Sequence, residues 1–282
     1  MAKSQTVNYI DAHQHFWRFD SVRDSWIDDS MKLIQRDFLP PDLEPLLRQN
    51  GFRGCVVVQS DQSATENDFQ LANADQHDFI KGVVGWVDLQ AENVEERLDY
   101  YSQFKKLKGF RHVLQSDPKR DLMLQPSFKQ GISLLSKYGF TYDLLIFPDQ
   151  LKYATELVKQ FPDQPFVLDH IAKPSIKSGD VEAWKYDIIK LAGNRNVYCK
   201  ISGMVTEADW QHWKQEDFKP YLDVVLNAFG MERVMFGSDW PVCLVAASYH
   251  KVFTIVQQYF SLFTKSEQDK FFGGNASWFY NL

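Results

Sequence analysis

Short runs of apolar, often β-branched residues recur along the chain and alternate with longer stretches of helical character. The clearest runs are Tyr9–His15, Gly54–Ser60, Ile80–Leu89, Leu107–Leu114, Phe140–Phe147, Phe166–His170, Val197–Ser202 and Val234–Asp239. They predict eight strands. Val56-Val57-Val58 and Val83-Val84 are unbroken apolar stretches, as expected of strands covered on both faces in a parallel sheet.

Between the runs lie segments that read as helices. Pro41–Gln49 opens on a proline and closes before Asn50-Gly51, a start and stop pattern. Thr65–Gln76, Asn93–Phe104, Pro126–Lys137, Asp149–Gln160, Asp180–Ala192 and Asp217–Phe229 follow. Gly51, Gly139, Gly193 and Gly230 sit where helix C-caps belong. Residues from Ala246 to Phe279 predict two more helices, the second capped by Thr264 with Glu267 three positions on.

Eight strands alternating with helices imply right-handed crossovers. In 282 residues the simplest closure is a single-domain α/β structure, a (β/α)8 TIM-type barrel over residues 1–282. An open doubly wound sheet competes, but no glycine-rich dinucleotide fingerprint follows the first strand. The connection Phe16–Leu39 is long for a barrel and carries Trp17, Arg18, Arg23, Trp26, Asp28 and Asp29. At the C-terminal face such a loop either builds the site or packs over it as a flap.

Composition narrows the function. The formal net charge is -6 and no basic stripe stands out, which argues against a nucleic-acid partner. Cys55, Cys199 and Cys243 are far apart and form no C-x-x-C pair, so they read as buried thiols in a reducing compartment. The N-terminus lacks an apolar signal core and no stretch is long enough to span a membrane. The expectation is a cytoplasmic protein with no membrane partner. The pattern leaves the oligomeric state open.

The chemistry gathers at strand ends. His13 and His15 are two apart, so both face one side of the first strand, at its C-terminal end. Such a pair chelates a divalent metal or faces a substrate carbonyl. His170 ends the sixth strand. Asp239 ends the eighth, before Pro241 stops further pairing. It can ligate metal, take a proton from water, or merely cap the strand. The four together would converge on one rim as a hydrolytic centre. Arg111 and His112 end the fourth strand; only one of them can face inward, and parity leaves open which. Lys200 on the seventh strand and Glu207 after it add candidate substrate contacts, as does Trp26; an internal ion pair and a helix start are the plain alternatives for Lys200 and Glu207.

Asp-Ala-His-Gln-His-Phe-Trp at 11–17, Lys-Gly-Phe-Arg-His at 108–112, Leu-Asp-His-Ile-Ala-Lys-Pro at 168–174, Lys-Ile-Ser-Gly-Met-Val-Thr-Glu-Ala at 200–208 and Phe-Gly-Ser-Asp-Trp-Pro at 236–241 resemble the amidohydrolase superfamily. Within it they are similar to the branch of sugar lactonases and pyrone dicarboxylate lactonases, as is Gly274-Asn275-Ala276 with Phe279-Tyr280. The resemblance runs over nearly the whole chain. It implies a distorted barrel that opens lactones with water, with Asp239 as general base and His13, His15 and His170 around the carbonyl or a metal. It implies a substrate contact at Arg111. The L-fuconolactonase and aldonolactonase members are nearest in flavour, which implies a sugar lactone, fucose degradation and carbohydrate metabolism.

Binuclear members of the superfamily carry a carboxylated lysine on the fourth strand. This sequence has Arg111 and His112 there, with Lys108 too early. At most one metal is expected, held by His13, His15, His170 and Asp239, with zinc as the candidate and a metal-independent site as the alternative. Lactones of L-rhamnonate or of pyrone dicarboxylate, and metal-dependent decarboxylation, are the competing reactions. A scaffold that lost its chemistry would lack a ligand or the strand-8 aspartate, and all are present.

Overall fold

The computed structural model describes residues 9–282. The expectation about a targeting segment falls on Met1–Asn8, outside the described residues. Eight parallel strands form one sheet in chain order. They are β1 (Tyr9–Gln14), β2 (Phe52–Val58), β3 (Ile80–Gly85), β4 (Leu107–His112), β5 (Thr141–Leu144), β6 (Phe166–Leu168), β7 (Val197–Ile201) and β8 (Val234–Phe236). Closure comes just beyond β8. Asp239 N donates to His13 O at 2.8 Å and His15 N to Trp240 O at 2.7 Å. The predicted (β/α)8 barrel is the fold observed; the strands end earlier than predicted because the chain leaves the sheet to build the rim.

The helices are α1 (Pro40–Gln49), α2 (Ala64–Gln76), α3 (Val94–Ser102), α4 (Pro126–Leu135), α5 (Leu151–Gln160), α6 (Glu182–Ala192), α7 (Gln215–Phe229), α8 (Tyr249–Phe260), α9 (Lys265–Asp269) and α10 (Asn275–Phe279). Thr264 Oγ1 accepts from Glu267 N, and the Glu267 side chain reaches back to Thr264 N, the capping box the sequence suggested. Gly139 and Gly230 take positive φ past their helices, whereas Gly193 stays right-handed. No helix among the described residues is long and apolar enough to cross a membrane. The three cysteines are buried free thiols.

The barrel interior is layered. Its lower layer is apolar: Ile10, Ala12, Val56, Val58, Val84, Val167 and Met235 pack with Ala276, Phe279 and Tyr280, so α10 and the residue after it form a floor. Asn275 ties the floor down by donating to Met231 O and Val234 O, each at 2.7 Å. The layer above is ionic. Arg111, Asp143, Asp169 and Lys200 enter from β4, β5, the end of β6 and β7, all almost fully buried.

The long loop after β1 holds a short 3-10 helix, Asp29–Ile34. It is pinned by a two-way backbone pairing of Trp17 with Phe38 and by edge-to-face contacts of Trp17 with Trp26 and Phe38.

Candidate active site

The site begins with an irregularity in β1. Asp11 pairs with Cys55 and Gln14 with Val57, so three steps along β1 match two along β2. This is a bulge, a device that re-aims side chains. Ala12 and His13 therefore both reach the interior, while Gln14 turns out to touch Cys55 Sγ and His15 returns inward. Asp11 anchors the bulge from behind. It accepts from His13 N at 3.2 Å, Ser238 N at 2.9 Å and Tyr249 Oη at 3.1 Å. Burial pushes its carboxyl up to about 6, against the pull of these bonds.

His15 Nδ1 lies 2.8 Å from Val58 O. A carbonyl only accepts, so Nδ1 carries the hydrogen and Nε2 presents a lone pair. That nitrogen sits 3.2 Å from His13 Nε2 and 3.4 Å from Asp239 Oδ1. His170 arrives from an unusual backbone. Four consecutive residues, His170, Ile171, Ala172 and Lys173, have φ of 53, 50, 62 and 51°. A run of non-glycine residues in the left-handed region costs roughly 1–2 kcal/mol per residue, and strain of this kind concentrates at functional sites. It places His170 Nδ1 2.9 Å from Ser202 Oγ and Nε2 3.9 Å from Asp239 Oδ1. Gly203 makes room: a Cβ there would sit 2.6 Å from His170 Nδ1.

Asp239 is itself left-handed, with φ of 57°. Burial would raise its carboxyl, but its neighbours His170, His15 and Lys173 together hold it below the usual aspartate value. Burial pushes His13 and His170 well below the ordinary histidine range, the nearby aspartates opposing in part. At neutral pH the site thus holds a carboxylate beside the neutral imidazoles of His13 and His170.

His15, His170 and Asp239 floor a cavity of about 450 Å³, and His13 is fully buried behind His15 without lining it. Of the residues predicted, His15, His170, Asp239, Arg111, Glu207 and Trp26 line it. The long loop is a wall and not only a flap, since Arg23, Trp26 and Met31 face the cavity. Arg18 does not line it. Parity at β4 resolves in favour of Arg111, whose Nη1 is 3.1 Å from Asp169 Oδ2 and whose Nη2 donates to Gln59 O at 2.6 Å. His112 is corrected: it points away from the barrel interior, toward the Trp86 indole at 3.4 Å and the Phe128 ring, and does not line the cavity. Lys200 is corrected too. It is fully buried beneath the site, 2.5 Å from Asp143 Oδ2 and 3.1 Å from Asp169 Oδ1, so it cannot touch substrate directly. Lys108 leans away to Asn281 O at 2.8 Å, so no lysine takes the bridging place of a binuclear centre on β4.

Sequence reasoning missed Asp61, Gln62, Gln115 and Lys173, all at the cavity wall. Lys173 lay inside a quoted motif, but no periodicity reveals a left-handed turn. Asp143 lay inside a predicted strand, and Asp169 and Tyr280 inside quoted motifs, but none was singled out, because their meeting at Lys200 depends on the packing of separate elements.

The amidohydrolase family model matches residues 10–282. The chain belongs to the amidohydrolase family. It is 36% identical to an L-fucono-1,5-lactonase of Burkholderia multivorans, over 97% of this chain and 96% of that one. It is 35% identical to an L-fucono-1,5-lactonase of Burkholderia ambifaria, over 97% and 95%. A crystal structure of a Burkholderia multivorans amidohydrolase with bound zinc superposes with a TM-score of 0.94 at 36% identity, covering 98% of this chain and 99% of that one.

This amidohydrolase can hold a divalent ion. His13, His170 and Asp239 each offer a ligand atom within 4.8 Å of the others, and His15 adds a bare Nε2 beside two of them. Two ligands of one tetrahedral zinc lie about 3.3 Å apart. The closest pairs here stand at 3.2 and 3.4 Å and the wider ones at 3.9 Å, so two imidazoles and a carboxylate fit one ion.

Proposed function

We propose that this enzyme opens a neutral sugar lactone of the L-fuconolactone type to its sugar acid, with Asp239 as the general base. The observation that carries the reading is the Asp239 carboxylate, kept ionised at the floor of a cavity sized for a monosaccharide ring and flanked by neutral imidazoles.

Charge at the cavity wall supports a neutral substrate. Arg23, Arg111 and Lys173 face Asp61, Glu207 and Asp239, three of each sign. Two of the cations are already committed, Arg23 to Asp24 at 2.7 Å and Arg111 to Asp169. A dicarboxylate lactone would need convergent, uncommitted cations. Gln62, Gln115 and Glu207 suit ring hydroxyls, whereas Trp26, Met31 and Leu145 offer an apolar face for a ring and a methyl group.

In this reading Asp239 takes a proton from a water molecule held near His15 and His170. The hydroxide adds to the lactone carbonyl carbon. Arg111 and the His170 ring face the oxyanion that forms. The bond from that carbon to the ring oxygen then breaks, and Asp239 returns its proton to the departing oxygen. One water is consumed and one hydroxy acid formed. A divalent ion held by His13, His15, His170 and Asp239 would supply Lewis acidity at the carbonyl. We read residues 1–282 as one domain, supported by a family match that runs from residue 10 to 282. We place the enzyme in the cytoplasm, supported by its three unpaired buried thiols.

A proton-release screen of aldonolactones, run with and without chelator, tests the reading. Fuconolactone and close relatives should be turned over, and Asp239→Asn should lose about 10²–10⁴-fold with an unchanged circular dichroism spectrum. Near-normal turnover by that variant, or carbon dioxide release from aromatic acids with no lactone opened, would sink it.

A further inference from the structure

His13 stands between groups that make opposite demands on the same ring. On one side Nδ1 is 3.2 Å from the Lys200 ammonium, a donor, and 3.3 Å from Asp169 Oδ1, an acceptor. On the other side Nε2 is 3.2 Å from the bare Nε2 of His15, an acceptor, and 3.4 Å from Arg111 Nη1, a donor. A neutral imidazole carries one hydrogen, so it can satisfy only one donor–acceptor pattern at a time.

With the hydrogen on Nε2, Lys200 donates to Nδ1 and His13 donates to His15. That arrangement leaves the fully buried Asp169 Oδ1 with the Lys200 ammonium at 3.1 Å but with no hydrogen from His13. A hydrogen bond from His13 would add to what that ammonium supplies. With the hydrogen on Nδ1, it goes to Asp169 Oδ1. Nε2 then accepts from Arg111, and the lone pairs of His13 and His15 face each other at 3.2 Å. Two bare nitrogens at that spacing repel unless a cation lies between them.

We propose that Asp169 and Lys200 choose which nitrogen of His13 carries the hydrogen, and thereby decide whether the site offers an N–H donor or a pair of imidazole lone pairs that binds a divalent cation. Both are positioning residues, since neither lines the cavity. Lys200 favours the donor form. Asp169 favours the cation-binding form, in the manner of carboxylates that orient metal-bound histidines. The exchange removes a proton from Nε2 and returns one to Nδ1 through solvent, so the ring stays neutral. Lys200 remains satisfied throughout, because Asp143 keeps its hydrogen bond. The inference rests on the reading of His13 as part of the site, and its test uses no lactone.

Nitrogen-15 spectra of the histidine-labelled full-length protein at neutral pH decide it, with the His13 signals assigned by their loss in His13→Asn. In chelator, His13 should show a protonated Nε2 and a bare Nδ1. Saturating zinc should reverse the two. Asp169→Asn should weaken zinc by about 10–100-fold in competition with a chromophoric chelator. Lys200→Met should show the Nδ1–H form even without zinc. Should Lys200→Met fail to fold, the parent protein's spectra stand alone as the test. The same His13 tautomer with and without zinc, no zinc effect on His13, or undiminished zinc affinity in Asp169→Asn would each overturn the proposal.

Discussion

At the scale of single residues, the site depends on side chains that are absent as much as on those present. A Cβ on Gly237 would lie 2.6 Å from His13 Cβ and 3.0 Å from Ser202 Cβ. Neither neighbour is a flexible chain end that could swing aside. Gly237→Ala should therefore displace His13 and strain the rim, costing about 1–3 kcal/mol of stability. A shift approaching 1 Å at a reacting group costs on the order of 10²-fold in turnover. Thermal melting and lactone kinetics together check this, and an alanine variant with parental kcat would show that the glycine is incidental. The sequence exposed Gly237 only as a letter in a motif. Its reason lies in the approach of β1 to the end of β8, which no local pattern encodes.

At the scale of elements, the left-handed turn His170–Lys173 is the part most at odds with local preference. Ile171 is β-branched and fully buried there, a poor fit to positive φ. The turn persists because it delivers His170 and Lys173 to the cavity from one short segment. Lys173→Gly relieves strain at a partly exposed position without losing core volume. It should raise the melting temperature by about 2 °C, equivalent to about 1 kcal/mol at this chain length. It should also lower lactone turnover, because the ammonium beside Asp239 and His170 is lost. Calorimetry and kinetics on one preparation separate the two effects, and a lower melting temperature would mean that the turn is not strained at Lys173. Elements of ordinary geometry were legible in the sequence. The eight strands and the helix caps at Thr264 and Gly139 follow from periodicity and propensity. The bulge at Ala12–His13, the inward choice of Arg111 over His112 and the buried role of Lys200 were not, since each depends on where neighbouring strands place their pleats.

At the scale of the whole molecule, buried titratable groups shape the response to acid. His13 and His170 are held neutral by burial, so the unfolded chain gains two protons below about pH 6.5 that the native state refuses. Asp11 and Asp143 are pushed up to about 6 by burial, Lys200 opposing in the case of Asp143, so the native state gains two protons before the unfolded chain does. Between about pH 6 and pH 4 these uptakes cancel, and stability should be nearly flat. Below about pH 4 the unfolded chain also protonates all four of Asp11, Asp143, Asp169 and Asp239. Despite burial, Lys200, His13 and Arg111 hold Asp169 down, and His170 and His15 hold Asp239 down. The native state then lags by four protons, and stability should fall by about 5 kcal/mol per pH unit. Calorimetric melting temperatures across this range, in chelator, should show a plateau followed by a steep edge. A steady decline from pH 6.5 downward would contradict the assignment.

The floor of the barrel bears on how the chain reaches this state during synthesis. Tyr280 donates to both oxygens of Asp143, at 3.0 and 2.9 Å, and its ring shields the Lys200 ammonium at 5.4 Å. All eight strands leave the ribosome before that residue does. Until it emerges, a nascent barrel has its central ion pairs open to water from below and its apolar lower layer uncovered. The last turn of chain acts as a latch, so a ribosome stalled before Tyr280 should hold a chain that proteases cut within the barrel, whereas release of the latch residues should make it resistant in a single step.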